Sequence, residues 1–281
     1  LVCYLKKSKY RFKYLIMILT IVLEIFYISF ISMFFMIKGF CFYPKYYNED
    51  IFDYKNIYNV EVNVGKNKYT SLYYDNNNEE VTILFLGNGQ VSSDIFIALG
   101  EEGLSKGNRN LLIMDYPMFG NNDGKLVEAE IYKEVDELMN FLVDTEGYDY
   151  SNIRVCGYSI GTGVACYCAS KYPNISSLVL FAPYDKFASA INNVTPVFYG
   201  PLCVCVRYKF DSLSRANNIK AHTTIIYSLT DEVIPPIATK NLINHLNNVN
   251  VVQLDGSNHS EVFFNLNTKF YLIYNEITNI M

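Results

Sequence analysis

The sequence predicts an α/β protein with a mostly parallel central sheet, helices on both faces of that sheet, and one membrane-spanning helix ahead of it. Short apolar runs alternate with helical segments after residue 55, and residues 14–37 form one long apolar run. The 281 residues are 51% hydrophobic and 18% charged, which excludes the disordered and low-complexity classes. The net charge of -5 argues against nucleic acid as a partner, because proteins that neutralise phosphates are basic.

The apolar run at 14–37 predicts a transmembrane signal anchor, with Glu24 as its only charge. About 24 residues at 1.5 Å each reach roughly 36 Å, enough to cross a hydrocarbon core of about 30 Å. A cleaved signal peptide is the alternative, although its apolar region is normally about 7–15 residues long. Residues 1–13 form a basic segment that contains Lys6, Lys7, Lys9, Arg11 and Lys13. The positive-inside rule therefore predicts a cytoplasmic N-terminus, with the remaining chain lumenal or extracellular and the lipid bilayer as a partner.

A linker is predicted at 38–54 and a single α/β domain at 55–281. The domain opens with a predicted hairpin, in which Ile57–Val64 and Tyr69–Tyr74 flank Gly65-Lys66-Asn67. Short apolar runs then predict buried strands at Val81–Leu86, Leu111–Met114, Ile153–Cys156, Leu178–Phe181, Thr223–Tyr227 and Asn250–Leu254. Helical spacing is found at Glu128–Val143, Thr162–Lys171, Ile234–Leu246 and Glu261–Ile280. This alternation favours parallel strands, whose carboxyl ends are where ligands bind in such sheets.

The first chemical motif lies between a predicted strand and a predicted helix and reads Gly157-Tyr158-Ser159-Ile160-Gly161. A serine nucleophile needs a sharp turn that lifts its hydroxyl above the sheet, and Gly157 and Gly161 relieve the crowding at such a turn. An ordinary glycine-rich turn between a strand and a helix is the alternative. The strand–helix context favours Ser159 as a nucleophile.

Two candidate partners of Ser159 follow the last two predicted strands. Asp231 comes just after one strand, and His259 comes between the other and the predicted final helix. A histidine can take the serine proton, and an acid can fix the tautomer of that histidine. The alternatives are Glu232 or Asp255 as the acid, Asp231 as a helix cap, and His259 as a surface residue. The order of serine, acid and histidine at successive strand ends favours a catalytic triad.

An oxyanion hole is expected beside this triad. One backbone N–H would come from Ile160, and another from the loop Leu86-Gly87-Asn88-Gly89-Gln90 that follows an earlier strand. Asn88 is the first candidate in that loop and Gly89 the second. A plain Gly-Asn-Gly turn is the alternative interpretation.

The sequence gives no reason to expect a metal site or a cofactor. The chain has seven cysteines and three histidines. The cysteines lack the spacing of a disulfide framework or of a zinc site, and the histidines lie in different segments.

These motifs resemble those of the α/β-hydrolase superfamily, from about Val60 to the C-terminus. They are especially similar to a membrane-anchored branch grouped with serine aminopeptidase-like and prolyl-oligopeptidase-like hydrolases. The matches are Leu86–Gly89, Asp115-Tyr116-Pro117-Met118-Phe119-Gly120, the Ser159 turn, Tyr208-Lys209-Phe210-Asp211-Ser212, Asp231-Glu232-Val233-Ile234-Pro235 and Asn258-His259. Leu86 replaces the usual histidine of the oxyanion loop, and Pro117 stands where an arginine is common.

The resemblance implies a membrane-anchored serine hydrolase that cleaves an ester, thioester or amide through an acyl-enzyme. It also implies a short cap at about 183–215, with apolar residues that suit an acyl substrate or only cover the sheet. Those residues are Phe187, Val197, Phe198, Tyr199, Leu202, Val204 and Val206. A serine peptidase of the same fold, acting on a peptide substrate, and a catalytically silent scaffold are the alternatives.

Overall fold

A computed structural model describes residues 2–48, 50–51, 54–105, 107–194, 206 and 208–264. The chain divides into two compact units, Leu1–Phe42 and Tyr43–Met281.

The first unit is one helix, α1, at Val2–Cys41. Its segment Arg11–Ser32 is long and apolar enough to cross a membrane, and it is the one such helix in the described part of the chain. Its large side chains are exposed, with Phe26 at 68% and Leu23 at 62%. A signal sequence near an N-terminus can also meet these criteria of length and composition.

The second unit is built on a sheet of eight strands in the order β1-β2-β4-β3-β5-β6-β7-β8. The hairpin β1–β2 pairs antiparallel, as does β2 with β4, and every other neighbouring pair is parallel. The strands are β1 Ile57–Val64, β2 Asn67–Tyr74, β3 Val81–Phe85, β4 Asn110–Met114, β5 Ile153–Tyr158, β6 Ser177–Phe181, β7 His222–Ser228 and β8 Val249–Leu254. Every residue of β3, β4 and β5 is buried, as expected for strands covered on both faces.

Helices pack around this sheet. They are α2 Ser92–Ser105, α3 Glu128–Asn140, α4 Ile160–Lys171, α5 Phe187–Val194, α6 Ser212–Arg215, α7 Pro236–Ile243 and α8 Glu261–Phe264. A π-helical turn, Phe141–Thr145, continues α3.

The predicted fold class is confirmed, and all eight predicted strands are present with shifts at their ends. The predicted helix Ile234–Leu246 is shorter in the structure, because Pro235 has an extended backbone and α7 begins at Pro236. The predicted helix Glu261–Ile280 is described only to Phe264, and residues 195–205 and 207 of the predicted cap lie outside the described residues. The sequence did not predict α2, α5 or α6.

Candidate active site

Ser159 lies at the sharp turn between β5 and α4. Its backbone φ of 51° and ψ of -119° are rare for a residue that carries a side chain. Its N–H donates to the carbonyl of Phe181 in β6 at 2.9 Å, and Thr162 donates back to the Ser159 carbonyl at 3.0 Å. The turn is therefore held by the neighbouring strand and by the first turn of α4.

The two glycines around Ser159 are required by close backbone contacts. A Cβ on Gly161 would lie 2.1 Å from the carbonyl oxygen of Phe85, which no side chain permits. A Cβ on Gly157 would lie 2.6 Å from the carbonyl oxygen of Gly161. The absence of both side chains lets α4 start close to the end of β3.

The predicted nucleophile, acid and histidine meet at the carboxyl ends of the strands. His259 Nε2 lies 2.9 Å from Ser159 Oγ, and His259 Nδ1 lies 2.8 Å from Asp231 Oδ2 and 3.0 Å from Oδ1. The side chains of His259 and Asp231 are 13% and 3% exposed. The arrangement is one hydrogen-bonded row from the carboxylate through the imidazole to the hydroxyl, largely shielded from water.

The carboxylate of Asp231 is fixed by backbone donors. Its Oδ1 accepts from the N–H groups of Val233 at 2.9 Å and Ile234 at 2.8 Å. Asp231 does not cap α7, because the residue before that helix is Pro235. Glu232 contacts a different part of the histidine, since its Oε2 accepts from the His259 backbone N–H at 3.0 Å. Among the acids considered from the sequence, Asp231 is thus the one that faces the imidazole ring.

Tyr158 supports the imidazole, a role that the sequence did not predict. Its ring stacks on His259 with centroids 5.3 Å apart and on Phe263 at 4.6 Å. Its hydroxyl donates to the His259 carbonyl at 3.2 Å. Burial raises the pKa of Tyr158 above its usual range, which keeps this donor protonated. The variable position before a motif serine carries no signal of such a contact.

The candidate oxyanion loop lies beside the start of α4, as the contact between Phe85 and the Gly161 position requires. Ile160 is the first residue of α4, and its N–H has no acceptor among the described residues. The side chain of Asn88 points to a different task, because its Oδ1 accepts from the N–H of Tyr43 at 2.7 Å. Asn88 and Gly89 are therefore candidate donors through their backbones.

The described residues contain no group of three or more His, Cys, Asp or Glu side chains that would hold a metal. Cys156, Cys166 and Cys168 are buried thiols. Burial raises the pKa of Cys156 and of Cys166 to about 12, so both remain protonated at neutral pH.

A cleft of about 420 Å³ opens between α5 and α7. Neither Ser159 nor His259 lines it, so it is separate from the hydrogen-bonded row. Its lining mixes polar and apolar side chains and consists of Asp185, Ser189, Asn192, Pro235, Ile237, Ala238, Lys240, Asn241 and Asn244.

Comparison with known proteins gives the same fold. No family model matches the chain. An esterase of Pyrococcus furiosus has a TM-score of 0.65 at 18% identity, covering 82% of this chain and 91% of its own. An α/β hydrolase of Vibrio vulnificus has a TM-score of 0.64 at 20% identity, covering 78% and 80%.

Curated sequences agree. The chain is 25% identical over 155 residues to an α/β hydrolase of Acanthamoeba polyphaga mimivirus, covering 54% of this chain and 56% of that protein. It is 27% identical over 167 residues to human alpha/beta hydrolase domain-containing protein 17B, covering 59% and 51%. The chain thus spans about half the length of these two relatives. The fold, the strand order and these relatives identify the chain as a member of the α/β-hydrolase superfamily.

Proposed function

We propose that the chain is a serine hydrolase that cleaves an ester, thioester or amide bond through an acyl-enzyme. The observation that carries this proposal is the row of hydrogen bonds from Asp231 to His259 to Ser159, with heavy-atom distances of 2.8–3.0 Å. A nucleophile and its base must lie within about 2.6–3.2 Å, with the base oriented by a third group.

The reaction follows from the geometry of the row. His259 Nε2 accepts the Ser159 proton as Oγ attacks the substrate carbonyl, and Asp231 stabilises the imidazolium that forms. Backbone N–H groups of Ile160 and of Asn88 or Gly89 stabilise the developing oxyanion. The imidazolium then protonates the leaving group, and water activated by His259 releases the acyl group.

An acyl ester is the proposed first class of substrate. Met118, in the loop after β4, and Val194, at the end of α5, are 40% and 57% exposed, so apolar side chains are available at the surface. Two of the cap residues, Phe187 and Val206, are 2% and 8% exposed and pack inside the domain. The other apolar residues of the proposed cap lie outside the described residues.

The proposal includes a membrane anchor. The segment Arg11–Ser32 has the length and hydropathy of a membrane span. The basic residues that precede it favour a cytoplasmic N-terminus, with the hydrolase unit lumenal or extracellular.

Labelling with a fluorophosphonate probe tests the nucleophile and the anchor in one experiment. Ser159→Ala should abolish labelling because the probe reacts with an activated serine hydroxyl. Ser170→Ala is the matched control, since Ser170 lies on the same helix and donates only to the Tyr167 carbonyl. The wild-type band should remain in the membrane pellet after alkaline extraction, if α1 is embedded.

Three results would contradict parts of the proposal. Persistent labelling of the Ser159→Ala chain would refute the nucleophile. Absence of both labelling and ester turnover in folded wild-type protein would favour a silent scaffold. A labelled band released by alkaline extraction would refute the anchor.

A further inference from the structure

The segment Tyr43–Asn48, which we call the strap, lies within the region that the sequence predicted as a linker. In the structure it is held by hydrogen bonds and an ion pair to residues at the carboxyl edge of the sheet. Most of it is exposed, with Tyr46 at 80% and Tyr43 at 54%, so it contributes little to the buried core.

The first contact of the strap is a hydrogen bond to the candidate oxyanion loop. The backbone N–H of Tyr43 donates to Asn88 Oδ1 at 2.7 Å. Asn88 is also a candidate donor to the oxyanion through its own backbone N–H. A hydrogen bond to its side chain therefore restricts the peptide group that would face the substrate.

The second contact involves both the side chain and the backbone carbonyl of Lys45. Its Nζ lies 2.7 Å from Asp94 Oδ2 in the first turn of α2, the helix that follows the oxyanion loop. Its carbonyl accepts from the N–H of Gly120 at 2.8 Å, in the loop after β4. Lys45 thus connects the first turn of α2 to the loop that follows β4.

The third contact of the strap is with a buried carboxylate. Tyr47 Oη donates to Asp115 Oδ2 at 2.8 Å, and Asp115 Oδ1 accepts from the N–H of Ser92 at 2.8 Å. The Ser92 hydroxyl also donates to Asp115. The next residue along, Ser93, accepts from the N–H of Asn48 at 3.0 Å. Asp115 therefore joins the strap to the beginning of α2.

In the described part of the chain, few other hydrogen bonds restrain the oxyanion loop. Gly87 donates to Gln90 Oε1 at 2.9 Å within the loop, and the Tyr116 hydroxyl donates to the Leu86 carbonyl at 2.8 Å. These bonds hold the beginning and the end of the loop. Among the described residues, the N–H of Tyr43 makes the hydrogen bond that reaches Asn88 in the middle of the loop.

We propose that the strap is a positioning element that holds the Asn88 peptide in place for the oxyanion. This inference rests on the proposed hydrolase function. The strap touches no reacting atom and acts through the loop. Its loss should lower the rate of the chemical step more than it weakens substrate binding, since the oxyanion contact strengthens only in the transition state.

A single substitution at Tyr43 removes the hydrogen bond to Asn88 and leaves the other contacts of the strap in place. Tyr43→Pro removes the N–H, and proline suits the extended backbone favoured by a residue that precedes another proline, here Pro44. Tyr43→Ala is the matched control, because it removes the side chain and keeps the N–H. Both changes are made in the full chain, since α1 ends just before the strap.

We expect Tyr43→Pro to lower kcat for an acyl ester by about tenfold to a hundredfold relative to Tyr43→Ala, with KM changed by less than about twofold. Hydrogen–deuterium exchange of the segment 86–90 should be faster in Tyr43→Pro and unchanged in Tyr43→Ala. The midpoint of thermal unfolding should be the same in the two variants.

Equal kcat in the two variants, or equal exchange of the segment 86–90, would overturn the proposal. A loss of kcat that accompanies a lowered unfolding midpoint would assign the strap a structural role and overturn it as well. Failure of the hydrolase proposal itself is recognised separately, as a wild-type chain with no turnover. Hydrogen exchange needs no substrate and detects loosening of the loop in either case.

Discussion

Replacing Asp231 with asparagine should disable the proposed triad without disturbing its geometry. Asp231 Oδ1 accepts from two backbone N–H groups, those of Val233 and Ile234. In the Asp231→Asn chain these donors retain the amide oxygen at the Oδ1 position. The amide NH2 group is then placed at the Oδ2 position, 2.8 Å from His259 Nδ1.

The consequence is the wrong tautomer of the histidine. The NH2 group is the nearer of the two amide atoms to Nδ1 and favours Nδ1 as an acceptor, so the imidazole proton moves to Nε2 and faces Ser159 Oγ, 2.9 Å away. A protonated Nε2 cannot take the serine proton. The same substitution in a well-studied serine protease lowers kcat by about 10⁴, and at 1.36 kcal/mol for each tenfold the barrier rises by about 5 kcal/mol.

Hydrolysis of acyl esters of increasing chain length measures this effect, with the rate of fluorophosphonate labelling as a second readout. Glu232→Gln is the matched control. Its carboxylate accepts from the His259 backbone N–H at 3.0 Å and does not touch the ring nitrogens. We expect it to lose less than about tenfold, the order of a single neutralised surface charge.

The reasoning would be refuted if Asp231→Asn kept kcat/KM within about tenfold of wild type. It would also be refuted if Glu232→Gln lost as much activity as Asp231→Asn, which would identify Glu232 as the acid. Circular dichroism should show the same fold in both variants, because the backbone hydrogen bonds to residue 231 are kept.

Two further predictions concern stability. Gly161→Ala should prevent folding or strongly lower the midpoint of thermal unfolding, since its Cβ would lie 2.1 Å from the Phe85 carbonyl oxygen. The control Gly103→Ala meets only ordinary van der Waals contacts and should be neutral or stabilising. Equal unfolding midpoints in the two variants would contradict this prediction. Among the described residues, neither carboxyl oxygen of Glu134 has a hydrogen-bond partner, and burial raises its pKa well above the usual range. An acid whose pKa is raised in the folded state stabilises the fold at low pH, and this contribution is lost as pH rises. Glu134→Met should therefore stabilise the protein by about 1–3 kcal/mol at neutral pH and reduce the pH dependence of its free energy of unfolding in denaturant titrations. An unchanged pH dependence would contradict this prediction.

The sheet and the meeting of the three triad candidates were predictable because both depend on local signals. A buried parallel strand is a short run of apolar residues, and its end is marked by a change in composition. Once the strands are in parallel order, residues that follow their carboxyl ends must lie at one edge. Ser159, Asp231 and His259 each follow such an end, so their order along the chain indicated their proximity.

The features that sequence reasoning missed depend on contacts between distant residues. Helix α2 contains Gly100 and Gly103, which weaken helix propensity, and Gly100 is non-helical with φ 64° and ψ 166°. The strap has no apolar run and is rich in tyrosine, and its order comes from acceptors on Asn88 and Asp115. Neither partner is close to the strap in sequence, so no local pattern indicates the pairing.

Ser159→Ala tests the proposed nucleophile without disturbing the strained turn, because the groups that hold this turn do not include the Ser159 hydroxyl. A residue at φ 51° costs of the order of 1–3 kcal/mol, and this conformation persists only where the surroundings determine it. Here the surroundings are backbone groups, namely the Phe181 carbonyl in β6 and the Thr162 N–H in α4. The Thr162 hydroxyl adds a bond to the Ser159 carbonyl at 2.6 Å. None of these bonds uses Ser159 Oγ, so alanine at this position should keep the turn while it removes the attacking atom.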